Sequence, residues 1–166
     1  MTDTKPMKYY SNIQEANLSK LLGWRKIGGS GAAPCAPGDI KASEWLGECK
    51  THTKLQDIYF SIDVWKKIKN EAFGHNKKPV LFVDNGSQKE DHTWCICRQQ
   101  NLNPDYLNIL DFPFKVVKHI TFKDDDLRVL VKLEYPSKLP VAYRCVWDNE
   151  SILVMQFNTF KDVYKK

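Results

Sequence analysis

Apolar residues recur along this chain at two periods, and the change from one to the other outlines its elements. Near the amino terminus Leu18, Leu21 and Leu22 follow helical spacing, with Ser11-Asn12-Ile13-Gln14 before them and Gly23 after. Serine at an N-cap with glutamine three positions on forms a capping box, and glycine suits the left-handed residue that stops a helix. The pattern predicts a helix over 12–22. On its wheel Glu15 falls about 20° from Leu22, toward the apolar stripe. A carboxylate there needs a partner. The alternative is that Glu15 sits at the stripe's edge in the first turn, where the helix dipole favours acids.

Residues 28–38 hold four of the chain's eight glycines together with Pro34 and Pro37, which predicts an irregular loop. Residues 39–43 and 44–50 then form two short strands, a hairpin. Ser61 caps a helix over 62–73, with Trp65, Ile68 and Ala72 on one face and Gly74 closing it. Pro79-Val80-Leu81-Phe82-Val83 is a buried strand. Further strands are expected over 92–98, 116–122, 127–135, 141–147 and 152–157, with Asp124-Asp125-Asp126 as a solvated hairpin tip. Asn158 would cap a short last helix containing Phe160 and Val163. Helix, strand, hairpin, helix, strand describes an α/β domain, a mixed sheet flanked by helices.

Composition narrows this picture. A chain of 166 residues, 42% hydrophobic and 27% charged, fits a single folded domain over 1–166. No stretch is long and uncharged enough to span a bilayer, and the first residues lack an apolar segment, so a soluble, unexported, cytoplasmic protein is expected, with no membrane partner. Five cysteines without a disulfide-like spacing suit a reducing compartment, with Cys35, Cys49 and Cys145 as packing residues. The net charge of +5 suits a polyanion but decides nothing alone.

Candidate chemistry is densest between residues 15 and 50. On a strand Glu48 and Lys50 send their side chains to the same face. Magnesium is held by one or two carboxylates plus waters and substrate phosphate, and Asp39 and Glu48 supply two, with the carbonyl of Cys49 as a further oxygen. Cutting a phosphodiester with water needs a metal to polarise the phosphoryl oxygen, and a cation such as Lys50 near the attacking or leaving oxygen. An acid-x-Lys triplet is common by chance, so the surrounding residues carry the weight.

Glu15 on the first helix, Arg25, Gly29-Ser30-Gly31-Ala32, Gly38-Asp39-Ile40, Glu48-Cys49-Lys50 and the helix and strand through Val83 together resemble the PD-(D/E)xK nuclease superfamily. Within it the resemblance is to the archaeal and phage Holliday junction resolvases, and it covers about half the chain. It implies a restriction-endonuclease-like fold with a core of about 10–100 and extra C-terminal strands over about 100–166. It implies that Asp39 and Glu48 bind magnesium, with manganese as a substitute, that Lys50 assists the water, and that Glu15 completes the acidic cluster. Arg25 and Ser30 would contact phosphate, Gly29 and Gly31 would let backbone approach DNA, and Gln56 would line the cleft. Four-way or branched DNA is then the substrate and a two-fold homodimer the cutting unit, in a host cytoplasm if the source is a phage. Gly38 departs from the proline that the superfamily often has there.

Other readings stay open. The chain is a different nuclease of the superfamily acting on duplex DNA, or a non-catalytic nuclease-like module that binds DNA or a protein. His92, Cys95 and Cys97 offer zinc ligands, though Cys-x-Cys on a strand simply puts two thiols on one face. Lys66, Lys67, Lys69, Lys77 and Lys78 form a solvated outer helix face or a track for a DNA backbone. Trp24, Trp45 and Trp65 are expected in the core or a subunit interface.

Overall fold

In a computed structural model the protein is described over residues 7–28, 36–52, 57–112, 116–133 and 138–166. Cys35, Gly29, Ser30, Gly31 and Gln56 lie outside these residues. Helix α1 (Met7–Leu22) leads into β1 (Arg25–Lys26), β2 (Ile40–Lys41) and β3 (Trp45–Thr51). There follow β4 (Asp57–Ser61), α2 (Ile62–Gly74), β5 (Lys78–Asp84), β6 (Thr93–Arg98) and β7 (Asn108–Asp111). The chain ends with β8 (His119–Lys123), α3 (Asp124–Leu133), β9 (Val141–Trp147), β10 (Glu150–Gln156) and α4 (Phe157–Val163).

The unbroken apolar run Val80-Leu81-Phe82-Val83 is fully buried because β5 lies inside the sheet with helices on both sides. The sheet has eight strands in the order β1-β2-β3-β5-β6-β10-β9-β7. Strands β1, β2 and β3 form an antiparallel meander, and β5 runs parallel to β3 across the connection through β4 and α2. Strand β6 is antiparallel to β5 and to β10, so residues beyond 100 continue the same sheet. Strands β9 and β10 form a hairpin whose Asp148 and Asn149 take φ of 54° and 61°, the geometry of a tight two-residue turn.

Alternation divides the core in two. Trp45, Cys49, Val80 and Phe82 face α1 and α4, packing on Leu18, Leu22, Phe157 and Phe160. Leu46, Leu81 and Val83 face α2, α3 and the small β4–β8 ribbon, packing on Trp65, Ile68, Phe60, Phe122 and Leu127. The α/β class with a mixed, helix-flanked sheet is therefore as expected. Trp24, Trp45 and Trp65 are core residues. Among the described residues no helix is long and apolar enough to cross a membrane.

Several expectations are corrected. Helix α1 starts at Met7, so Ser11 is inside it and Glu15 is nowhere near a first turn. Leu21 is exposed, and the stripe runs through Gln14, Glu15, Leu18 and Leu22. Helix α2 begins after Ser61 as expected, but the Ser61 side chain makes no capping hydrogen bond, the helix includes Gly74, and Asn76 at φ 51° makes the left-handed stop. The Asp124-Asp125-Asp126 tract is no hairpin tip, and of the strand expected over 127–135 the described residues, 127–133, belong to helix α3. Three acids suit a helix N-terminus as well as they suit a turn, and Leu127, packing into the core with Leu130 against it three residues on, decides for the helix. Helix α4 starts at Phe157, ahead of the expected cap Asn158. Cys95 and Cys97 do share a face, but as buried free thiols in the α1/α4 core, while His92 is turned to Asp124 instead. That removes the zinc reading. Burial pushes both thiols well above their usual pKa.

Candidate active site

The candidate site is built on the edge of β3. Gly47 is required there, because a Cβ would come within 2.8 Å of Phe82 and 2.9 Å of Ile40. That close packing brings β2 against β3, with the Asp39 N–H donating to the Gly47 carbonyl at 2.8 Å. Gly38, at φ +64°, turns the chain into β2, and its N–H donates to Glu71 Oε2 at 2.8 Å. Proline fits neither feature, having φ near −65° and no N–H. Glycine rather than proline at position 38 is thus a local requirement of this backbone.

Strand β2 is only two residues long, so the far half of β3 needs other hydrogen-bond partners. Asp39 supplies one: its Oδ2 accepts the Cys49 N–H at 2.8 Å, fixing the carboxylate against the strand. In a β-strand the N–H and C=O of one residue point to the same side. The Cys49 carbonyl therefore leaves β3 on the Asp39 side. From the α1 face Gln14 also ties down this end of β3, donating to the Lys50 carbonyl at 3.3 Å and accepting from the Thr51 hydroxyl at 2.8 Å. The glutamine expected in a capping box is a buried clamp between helix and strand.

Glu48 and Lys50 share a face, as strand alternation requires. Lys50 Nζ lies 2.8 Å from Glu48 Oε1, with the glutamate only 2% exposed and the lysine 43%. Lys67 reaches over from α2 to the same carboxylate, 3.1 Å from Oε1 and 3.2 Å from Oε2. Burial works against the charge of Lys67, but the charge and hydrogen bond of Glu48, then Glu71, outweigh it and raise its pKa. Glu15 is buried in the middle of α1 and pairs with Lys26 at 3.1 Å. Burial, with the charges of Asp39 and Glu48, raises its carboxyl pKa despite the Lys26 bond. The Cys49 thiol is pushed up by burial and by Asp39, Glu15 and Glu48, so the three carboxylates share one neighbourhood.

Of the residues expected from the sequence, Asp39 binds the Cys49 backbone and Lys50 binds Glu48, while Glu15 approaches from the α1 face of the sheet and Glu48 and Lys50 lie on the α2 face, near enough to one another to act through their charges. Arg25 is exposed on β1, paired in the ladder with Lys41, and its neighbour Lys26 is the one that reaches the acids. The basic run does not make one solvated face. Lys66 and Lys69 bind Asp148, Lys69 also binds Glu150, Lys77 holds the carbonyls of Ala42 and Ser43, and Lys78 pairs with Glu44. Sequence reasoning missed Lys67 and Gln14 as members of the site. The Lys67 signal was available, since Lys67 and Glu71 are four apart on one face of a helix that follows the Glu48 strand.

The donor set suits a hard cation in kind, with carboxylates and a backbone carbonyl at one strand edge. Among the described residues, however, the set of three candidate ligands whose atoms all lie within 4.8 Å of one another is His92, Asp124 and Asp125. It is less open to a cation than that suggests. Asp124 already binds the His92 imidazole and the Trp94 indole N–H, and the Arg128 guanidinium lies 3.2 Å from the other imidazole nitrogen. A fixed guanidinium beside the ring repels a metal.

No family model, curated protein or solved structure matches the chain.

Proposed function

We propose that the protein is a magnesium-dependent, structure-specific DNA endonuclease of the PD-(D/E)xK type, and within it a Holliday junction resolvase acting as a homodimer. The observation that carries this reading is Asp39 tied by its carboxylate to the backbone of Cys49, between Glu15 on α1 and the Glu48–Lys50 face of β3. The element order supports it as well: α1, the meander β1-β2-β3, then α2 and β5 parallel to β3, with only β4 interposed.

Asp39 and Glu48 would hold the cation with the Cys49 carbonyl, and Glu15 would add negative charge behind them. Magnesium bound there would supply Lewis acidity toward a phosphoryl oxygen and a water of lowered pKa. Lys50, its side chain nearly half exposed, would stand beside that water and offset charge as the water oxygen adds to phosphorus and one P–O ester bond breaks. Arg25 and Lys26 at the rim would meet the phosphate backbone, which positions DNA without reading its sequence.

The test is cleavage of a labelled four-way junction beside linear duplex of the same sequence, with magnesium and with EDTA, wild type beside Asp39→Asn. Paired, magnesium-dependent nicks confined to the junction and lost in the variant are expected. Equal cutting of duplex would remove the junction specificity and keep the nuclease. No cutting of either would leave a DNA-binding module.

A further inference from the structure

Two ammonium groups on one buried carboxylate are more than neutralising it requires. Glu48 needs a counter-charge because an ionised carboxylate left alone in the interior is costly. Lys50 meets that need from one side at 2.8 Å. Lys67 nonetheless straddles both oxygens of the same group, at 3.1 and 3.2 Å, where a cation held by that carboxylate would sit. Its side chain is half exposed, on a long flexible stem anchored to α2, and Glu71 waits one turn along at 3.8 Å. Lys67 can therefore leave without stranding Glu48.

We propose that Lys67 is an exchangeable counter-ion of this site: its ammonium holds Glu48 in the metal-free protein, a divalent cation displaces it, and the released side chain grips a phosphate of the bound DNA. The inference rests on the nuclease reading and adds to it a coupling between metal entry and substrate grip. The two cations compete for one carboxylate, so each weakens the binding of the other, and this linkage is reciprocal. A compact ammonium on a mobile stem then suits phosphate as a point charge.

Isothermal titration of the full chain with manganese chloride, without DNA, tests the exchange. Lys67→Gln should bind manganese about tenfold tighter than wild type, Lys67→Arg close to wild type, and Glu48→Gln should lose the site. Glutamine and arginine both keep helix propensity at this half-exposed position, and circular dichroism checks the fold. Glu48-dependent binding that Lys67→Gln leaves equal or weaker overturns the exchange while the nuclease reading stands. Wild type without Glu48-dependent binding overturns both. For the phosphate grip, junction affinity is measured against salt concentration in calcium. Lys67→Gln should lower the slope by about one contact, and an unchanged slope overturns that part.

Discussion

Glu48 and Asp124 are buried to nearly the same degree, 2% and 1% exposed, and both are met by basic side chains, yet the two regions are different kinds of site. Around Asp124 the donors are all engaged within the protein: the Trp94 indole, the His92 imidazole, and behind it Arg128, itself tied to Asp91 at 2.7 Å. The cluster joins β6 to the start of α3 and closes on itself. Around Glu48 the cations are the tips of two lysines that are each about half in solvent. Burial of an acid is thus no mark of function by itself. What separates the regions is whether the partners of the acid can be exchanged for something that arrives from solution.

The largest effect that would break this distinction is loss of chemistry at the open site. Asp39→Asn or Glu48→Gln should lower junction cutting by about a hundredfold to a thousandfold, the scale seen when one group that stabilises developing charge is removed. Junction binding should stay largely intact, since the phosphate contacts are assigned to Arg25, Lys26 and Lys67 and not to these carboxylates. Gel-shift and single-turnover cleavage on the same preparations check both. Equal loss of binding would make Asp39 a folding residue, which its bond to Cys49 also permits.

Asp124→Ala should do the reverse. It strands the buried Trp94 indole N–H and takes from the His92 imidazole its carboxylate partner, so urea denaturation should report a loss of about 3 kcal/mol. Cutting per folded molecule should be unchanged. A variant that folds normally and fails to cut would move function to the closed cluster.

How much of this was legible in the sequence follows the range of the interactions. Glu48 and Lys50 on one face needed only the period of a strand, and Glu15 pointing inward needed only a helical wheel. The partners of Gln14 lie 36 and 37 residues away, and Lys67 meets Glu48 at a separation of 19, so their roles exist only once α1, α2 and β3 are packed. The Asp124 tract fails for a related reason. Local chemistry permits both a turn and a helix start, and the deciding contact, Leu127 in the core beside Phe122 and Trp65, is tertiary. Pairing of β4 with β8 is likewise long-range, joining Asp57 to Lys123, and no local pattern announced it.

Lys50 pairs with Glu48 from the solvent side, and its removal should be felt in rate and hardly in stability. Lys50→Ala leaves Glu48 with Lys67, so denaturation should change by less than about 0.5 kcal/mol. The single-turnover cleavage rate should fall by about tenfold to a hundredfold. Unchanged cleavage would sink the role assigned to it, and a large stability loss would place Lys50 with Arg128 among fixed structural cations.

The smallest effect expected concerns Glu15 and is read from the pH dependence of stability. Burial, then Asp39 and Glu48, raise its folded pKa above the ordinary 4.5. Below 4.5 the carboxyl is protonated in folded and unfolded chains alike. Between 4.5 and the raised folded value the native state binds more protons, so the free energy of unfolding falls as pH rises, and above the folded value that loss is complete. Glu15→Gln removes this term. Its stability relative to wild type should therefore climb with pH across the window and then level, measured by urea denaturation at steps from pH 4 upward. A difference that does not vary with pH would mean that Lys26 already compensates the charge of Glu15. The edge of β3 would then be as closed as the cluster around Asp124, and the contrast between the two regions would rest on Glu48 alone.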